Sequence, residues 1–196
     1  YPKEFRDLFD GSYGKRFIDY LTYRCFHDAV DVAGQYDLLY CLVGDFAWRL
    51  IFPITDNGSL IGWTGRDIRD GAKLRYRASD GLGKGVLLTF DRDPNAAVIV
   101  VEGPLDALKV DYYGKQFGVC GVATMGTAVT DGQKQLLTRI AREVPTYIVF
   151  DSTAMAEGMS LANEIGARWS PLPFGVGDPG EMDWKTATKF LSNLVK

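Results

Sequence analysis

The chain has 196 residues, 46% hydrophobic and 24% charged, with a formal net charge of −3. That balance reads as soluble and globular, with length for one large domain or two small ones and a real core. It excludes a generally basic nucleic-acid coat, and no run approaches the ~18 apolar residues of a transmembrane helix or resembles a signal peptide.

In chain order, the first 40 or so residues read as helical. "FIDYLTYRCF" spaces Phe17, Tyr20, Leu21 and Arg24 by threes and fours, as an amphipathic helix does. The period then changes in "WRLIFPITDNGSLIGWTGRDI". Two short apolar runs, 50–54 and 60–63, flank Asp56-Asn57-Gly58-Ser59, and Asn-Gly between such runs predicts a hairpin. "GLGKGVLLTFD" offers another short strand after a glycine-rich approach, so the first half is a small mixed α+β unit.

The second half alternates. "AAVIVVEG" is a β-branched run of the kind buried on both faces of a sheet. "PLDALKVDYYGK" reads as helix with Pro104 in the permitted first turn, and "GVCGVATMG" as a second strand. Thr130 and Gln133 form a capping box that opens a helix over "QKQLLTRIA". "PTYIVFD" is a third buried strand, followed by helix near "AMAEGMSLANEIG". Strands alternating with helices imply a parallel sheet with right-handed crossovers. The seam between halves falls near residues 91–97. The expected division is 1–95, 96–183, and 184–196 as a C-terminal helix or the start of a further segment. A chain that begins at Tyr1 reads as an excised piece of a longer one.

Cys25, Cys41 and Cys120 are too few and too scattered for a disulfide framework, which suits a reducing cytoplasm. The only histidine, His27, stands two residues from Cys25, but no second ligand pair has zinc-finger spacing, so no zinc is expected in this segment. A single histidine also leaves Ser-His-Asp or Cys-His chemistry little to work with. Between residues 66 and 84 the chain carries six bases (Arg66, Arg69, Lys73, Arg75, Arg77, Lys84) against three acids (Asp67, Asp70, Asp80), with Trp63 and Tyr76 nearby. This is either a solvated hairpin face or a groove that tracks phosphates.

Functional groups in open α/β sheets gather at the carboxyl ends of strands. Glu102 ends the first strand of the second half, Asp151 ends the third, and Asp106 lies one helical turn beyond Glu102. If those strands are neighbours, three carboxylates converge. They would repel one another and raise their pKa values unless a divalent cation neutralised them. Oxygen ligands without histidine suit Mg²⁺ or Mn²⁺. Each acid alone has an ordinary explanation, since ExxxD is common and an Asp after a strand is often a helix cap.

Taken together, "VIVVEGPLDALKV", "GVATMGTAVTDGQ", "TYIVFDSTA" and "GVGDPGEMD" resemble the Toprim domain of DnaG-type bacterial and phage primases. The upstream "WRLIFPITDNGSLIGWTGRDI" and "LRYRASDGLGKGVLLTFD" resemble the segment that precedes Toprim in those enzymes. The resemblance runs over residues 16–183. It implies an α/β chain: a small N-terminal α+β subdomain followed by a Toprim subdomain with a Rossmann-like, mostly parallel sheet. It also implies an RNA primase that joins ribonucleoside triphosphates on a single-stranded DNA template with Mg²⁺ or Mn²⁺. A replicative helicase or a zinc-binding template-reading domain would be its partner, in the cytoplasm of a bacterial or phage-infected cell and away from membrane.

Carried over position by position, Glu102 matches an acidic residue of the active centre. Asp106, Asp151 and Asp178 match metal-binding acids, and Glu102, Asp106 and Asp151 are the expected catalytic set. Arg49, Arg66 and Lys84 match bases of the template and nucleotide groove, with Arg75 and Arg77 near a further one. Gly126 and Thr127 match a loop beside the acids. The chain departs from the pattern at Thr153, where a second Asp is usual, and at Ala154, Met155 and Ala156, where a Gly is expected. It departs again at Gly180, where many relatives have an acid, with Glu181 and Asp183 as substitutes. One carboxylate fewer predicts weaker metal binding. Two rival readings follow: a catalytically reduced Toprim module that binds nucleic acid, and a Toprim nuclease.

Overall fold

The structure, a computed structural model, describes residues 1–196 except Asn57 and Asp91. The chain divides into two units, Tyr1–Leu82 and Gly83–Lys196. No helix among the described residues is long and apolar enough to cross a membrane.

The first unit is built on a five-stranded antiparallel sheet in the order β1-β2-β3-β4-β5. Its strands are β1 (Arg6–Asp7), β2 (Leu39–Cys41), β3 (Arg49–Asp56), β4 (Ser59–Asp67) and β5 (Tyr76–Ala78). Strands β3 and β4 pair from Arg49↔Asp67 to Asp56↔Ser59, with a register shift between Ile54 and Thr55. The Asn-Gly turn expected between them rests on Asn57, which lies outside the described residues. Two helices precede the long strands, α1 (Gly11–Tyr23) and α2 (Ala29–Gln35). The spacing of Phe17 and Leu21 places both on the buried face of α1, and the Phe17 ring stacks on Tyr40 of β2.

The second unit is an α/β layer structure around a four-stranded parallel sheet in the order β7-β6-β8-β9. Its strands are β6 (Ala97–Val101), β7 (Val119–Ala123), β8 (Thr146–Ile148) and β9 (Arg168–Trp169). Its helices are α3 (Pro104–Gly114), α4 (Asp131–Glu143), α5 (Met155–Ile165) and α6 (Trp184–Leu194). Every residue of β6 and β7 is buried, as a run covered on both faces requires. Gly121 lets α3 approach β7 closely: a Cβ there would stand 2.2 Å from the Ala107 carbonyl oxygen. Thr130 caps α4, accepting the Gln133 N–H while the Gln133 side chain accepts the Thr130 N–H. Residues 184–196 begin as α6, capped by Asp183.

Two expectations change. Residues 81–90 do not form a strand; Leu88 alone bridges Ala123, through reciprocal backbone hydrogen bonds of 3.0 Å. Glycines at 81, 83 and 85 surround the approach, and only Leu87 and Leu88 are buried. The division also falls after Leu82 instead of at 91–97, a seam whose first residue, Asp91, lies outside the described residues. Residues 83–90 attach to the second unit because Gln133 donates to the Val86 carbonyl (2.8 Å) and Thr130 to that of Lys84 (3.0 Å), beside the Leu88 bridge.

Candidate functional site

Strand order brings the acids together. β6 and β8 are hydrogen-bonded neighbours, so Glu102, just past β6, and Asp151, three residues past β8, reach the same carboxyl edge of the sheet. Glu102 Oε1 accepts the Asp151 backbone N–H at 3.0 Å. Its other oxygen, Oε2, accepts the Thr127 hydroxyl. Thr127 comes within reach because the loop after β7 folds back onto the end of β6. The Thr124 N–H donates to the Val101 carbonyl (3.0 Å), and the Gly126 N–H to the Glu102 carbonyl (3.1 Å). Gly126 has φ +148°, a conformation essentially restricted to glycine, so the residue type follows from the loop path.

Asp151 is half-buried, and its carboxyl pKa rises from 3.8 to about 6. Burial is the largest cause, followed by the negative charges of Glu102, Asp178 and Glu181. Its Oδ1 is buried without a hydrogen-bond partner. Asp178 precedes a short 3-10 turn, Pro179–Glu181, and Glu181 ends it. The turn is tied to the end of β8 by the Ser152 N–H, which donates to the Gly177 carbonyl at 2.8 Å.

Asp106, expected among the ligands, has both oxygens engaged by backbone amides. Oδ2 accepts the Gly103 N–H at 3.1 Å, closing the first turn of α3, and Oδ1 accepts the Gly180 N–H at 3.0 Å. Asp183, read as a substitute acid, is the N-cap of α6; the Thr186 N–H at 2.7 Å holds its carboxyl below the usual range. Glu181 is the substitute whose charge reaches Asp151. Thr153 is exposed on the loop leading into α5. Sequence reasoning missed Lys109, whose fully buried side chain meets this same turn; a lysine at an apolar position of an otherwise buried helix was the available signal.

The donors are all oxygens and crowded with negative charge, and Asp151 keeps one buried oxygen unpartnered. These features fit a hard divalent cation. Among the described residues, no three His, Cys, Asp or Glu groups already form a cage for an ion. The fit is one of donor chemistry and charge, and binding would have to draw the carboxylates inward.

The bases of the first unit divide by environment. Arg49, read as a groove residue, is 6% exposed. Its guanidinium donates to the carbonyls of Gly65 (3.0 Å), Leu74 (2.8 Å) and Arg75 (3.2 Å), with Asp67 at 3.7 Å. It organises the connection between β4 and β5 from inside. Burial acts to raise the Asp67 pKa, but hydrogen bonds from Arg69 and the charges of Arg69 and Arg49 outweigh it, and the carboxyl lies below its usual range. Arg66 donates to the Tyr20 hydroxyl at 3.0 Å and lies 5.0 Å from the centre of the Tyr76 ring. Arg24, Arg66, Arg69 and Arg75 line a cleft of about 190 Å³ with Tyr20 and Tyr23. Arg77 pairs with Asp45 at 2.5 Å. In the second unit, Lys84 is exposed.

No protein-family model matches the chain. A curated DNA primase of Clostridium acetobutylicum is 30% identical over 165 residues, 77% of this chain and 27% of the relative, so the chain spans about a quarter of that protein's length. The primase fragment of the bacteriophage T7 primase-helicase protein has the same fold, with a TM-score of 0.61 at 14% identity over 84% of this chain and 69% of the fragment. A chain in the structure of the bacteriophage T7 lagging-strand DNA polymerase interacting with primase domains of two gp4 subunits bound to an RNA/DNA hybrid and dTTP matches with a TM-score of 0.59. Identity there is 14%, over 84% of this chain and 85% of that one.

Proposed function

We propose that this chain, which resembles the Toprim-containing catalytic core of DnaG-type DNA primases, joins ribonucleoside triphosphates into short primers on a single-stranded DNA template. The observation that carries this reading is the acidic edge itself. Glu102 and Asp151 meet across adjacent strands, with Asp178 and Glu181 near enough to raise the Asp151 pKa.

Glu102, Asp151 and Asp178 would hold Mg²⁺ or Mn²⁺, with Glu181 adding charge at the rim. Such an ion would neutralise the carboxylates, offset triphosphate charge and lower the pKa of an attacking 3′-hydroxyl. The chain's own residues supply orientation. The Thr127 hydroxyl and the Asp151 amide each hold one oxygen of the Glu102 carboxylate, so its orientation is fixed before substrate arrives. The Asp106 carboxylate supports the turn carrying Asp178 and Glu181 through the Gly180 amide. In the first unit, Arg66 and Arg75 supply donors for phosphate oxygens of a template or nucleotide and Arg77 adds positive charge, as does exposed Lys84 in the second. A replicative helicase or a zinc-binding template reader would be a partner in the cell.

One observation favours a second reading. With Thr153 in place of an acid and no preformed three-acid cage among the described residues, a nucleic-acid-binding module with reduced catalysis has support. Labelled ribonucleotide incorporation on single-stranded DNA, with Mg²⁺ or Mn²⁺, separates the two. The primase reading expects template-dependent products from wild type and a loss of at least a hundredfold in Glu102→Gln. DNA binding that persists in chelator, with no product under either metal, would favour the module.

A further inference from the structure

Helix α3 is buried on every side, yet it carries a lysine in its second turn. Lys109 is fully buried. Its Nζ donates to the carbonyl of Gly180 at 2.9 Å and to that of Met182 at 2.8 Å. One helical turn earlier, Asp106 Oδ1 accepts the Gly180 N–H at 3.0 Å. Gly180 is therefore gripped at its N–H and its C=O by two side chains of opposite charge, three residues apart on one face of α3.

Packing alone does not explain the lysine. Taking an ammonium out of water is costly, and an apolar side chain of similar volume fills such a site as well or better. Two charge-assisted hydrogen bonds offset the cost and fix geometry in return. The carbonyls that Lys109 grips stand on either side of Glu181 in the chain, and the residue before the turn is Asp178. Both acids act on Asp151.

The geometry points to Lys109 as a positioning residue of the acidic site: with Asp106 it clamps the 178–182 turn so that Asp178 and Glu181 are held toward Asp151. The inference rests on the reading of that acidic edge as a cation-holding centre. The Ser152–Gly177 hydrogen bond anchors the start of the segment, and the clamp fixes its far end. Without the clamp, the turn keeps its internal hydrogen bonds, Glu181 N–H to Asp178 and Met182 N–H to Pro179, but loses the hydrogen bonds that tie Gly180 and Met182 to α3.

The test uses the whole chain with Lys109→Met, which removes both donors, and Lys109→Gln, which keeps a shorter one. Amide hydrogen exchange followed by NMR reads the clamp, and Mn²⁺ titration followed by electron paramagnetic resonance reads the site. In folded Lys109→Met, the Gly180 amide should exchange at least tenfold faster while β6 amides are unchanged, and Mn²⁺ should bind at least tenfold more weakly, with Lys109→Gln between. Unchanged Gly180 exchange would overturn the proposal. So would faster exchange with wild-type Mn²⁺ affinity, which marks a purely structural tie. If neither variant folds, wild type decides: a Gly180 amide as labile as an exposed one refutes the clamp, and protection matching the α3 core supports it. Wild type that binds no Mn²⁺ would end the cation reading, while the exchange measurements would still judge the clamp.

Discussion

Glu102 and Asp151 are joined across two neighbouring strands: the Glu102 carboxylate accepts the Asp151 backbone N–H at 3.0 Å. The bond orients one acid with the backbone of the other and holds two negative side chains together. Asp151 carries the electrostatic consequence, with a carboxyl pKa raised to about 6 by burial and by its acidic neighbours.

That shift gives a pH dependence of definite sign. The folded-state pKa of about 6 exceeds the ordinary 3.8, so the neutral form is favoured by folding. The stability it contributes is complete below about pH 4 and is lost as pH rises through 6. Full linkage would amount to ~3 kcal/mol, which solvent screening of this half-exposed group reduces to about 1 kcal/mol. Asp151→Asn should therefore gain about 1 kcal/mol on metal-free wild type between pH 3.5 and pH 8, read from urea unfolding. A difference independent of pH would contradict the crowding of these acids.

Thr127→Val tests the orientation of Glu102. The residue is exposed, so stability should change by no more than about 0.5 kcal/mol. Primer synthesis should fall roughly tenfold, because the carboxylate loses the hydroxyl that fixes its outer oxygen. Thermal unfolding and ribonucleotide incorporation measure the two effects, and unchanged incorporation would show that Glu102 needs no such partner.

Arg49→Met should destabilise the first unit by about 2–4 kcal/mol, since three carbonyls lose a charged donor and the buried Asp67 loses one of its cations. Urea unfolding followed by tryptophan fluorescence is suitable because Trp48 and Trp63 both lie in that unit. A loss below 1 kcal/mol would mean that the guanidinium does not organise the β4–β5 connection.

What the sequence disclosed and what it concealed separate along a physical line. Strand β6 was legible because an unbroken β-branched run has few other uses, and α4 because Thr130 and Gln133 announce its start. The meeting of Glu102 and Asp151 followed from alternation alone once β6 and β8 were neighbours. The burial of Arg49 was not legible because its carbonyl partners at 74 and 75 lie 25 and 26 residues away, in a connection with no periodicity to read. Asp106 stands at ExxxD spacing from Glu102, but spacing could not show the Gly180 amide that its carboxylate accepts, 74 residues downstream. Lys109 was overlooked for the same reason: its purpose is set by a turn that only tertiary structure brings to α3.

In the function proposed above, the acids at the ends of β6 and β8 share a divalent cation. Anomalous diffraction from a crystal soaked in Mn²⁺ tests it most directly. The account predicts a peak within about 2.5 Å of carboxylate oxygens from Glu102 and Asp151, with Asp178 on the same side. Asp106 should remain on the Gly103 and Gly180 amides. A peak centred on Asp106, or none at this edge when Mn²⁺ is saturating, would contradict it.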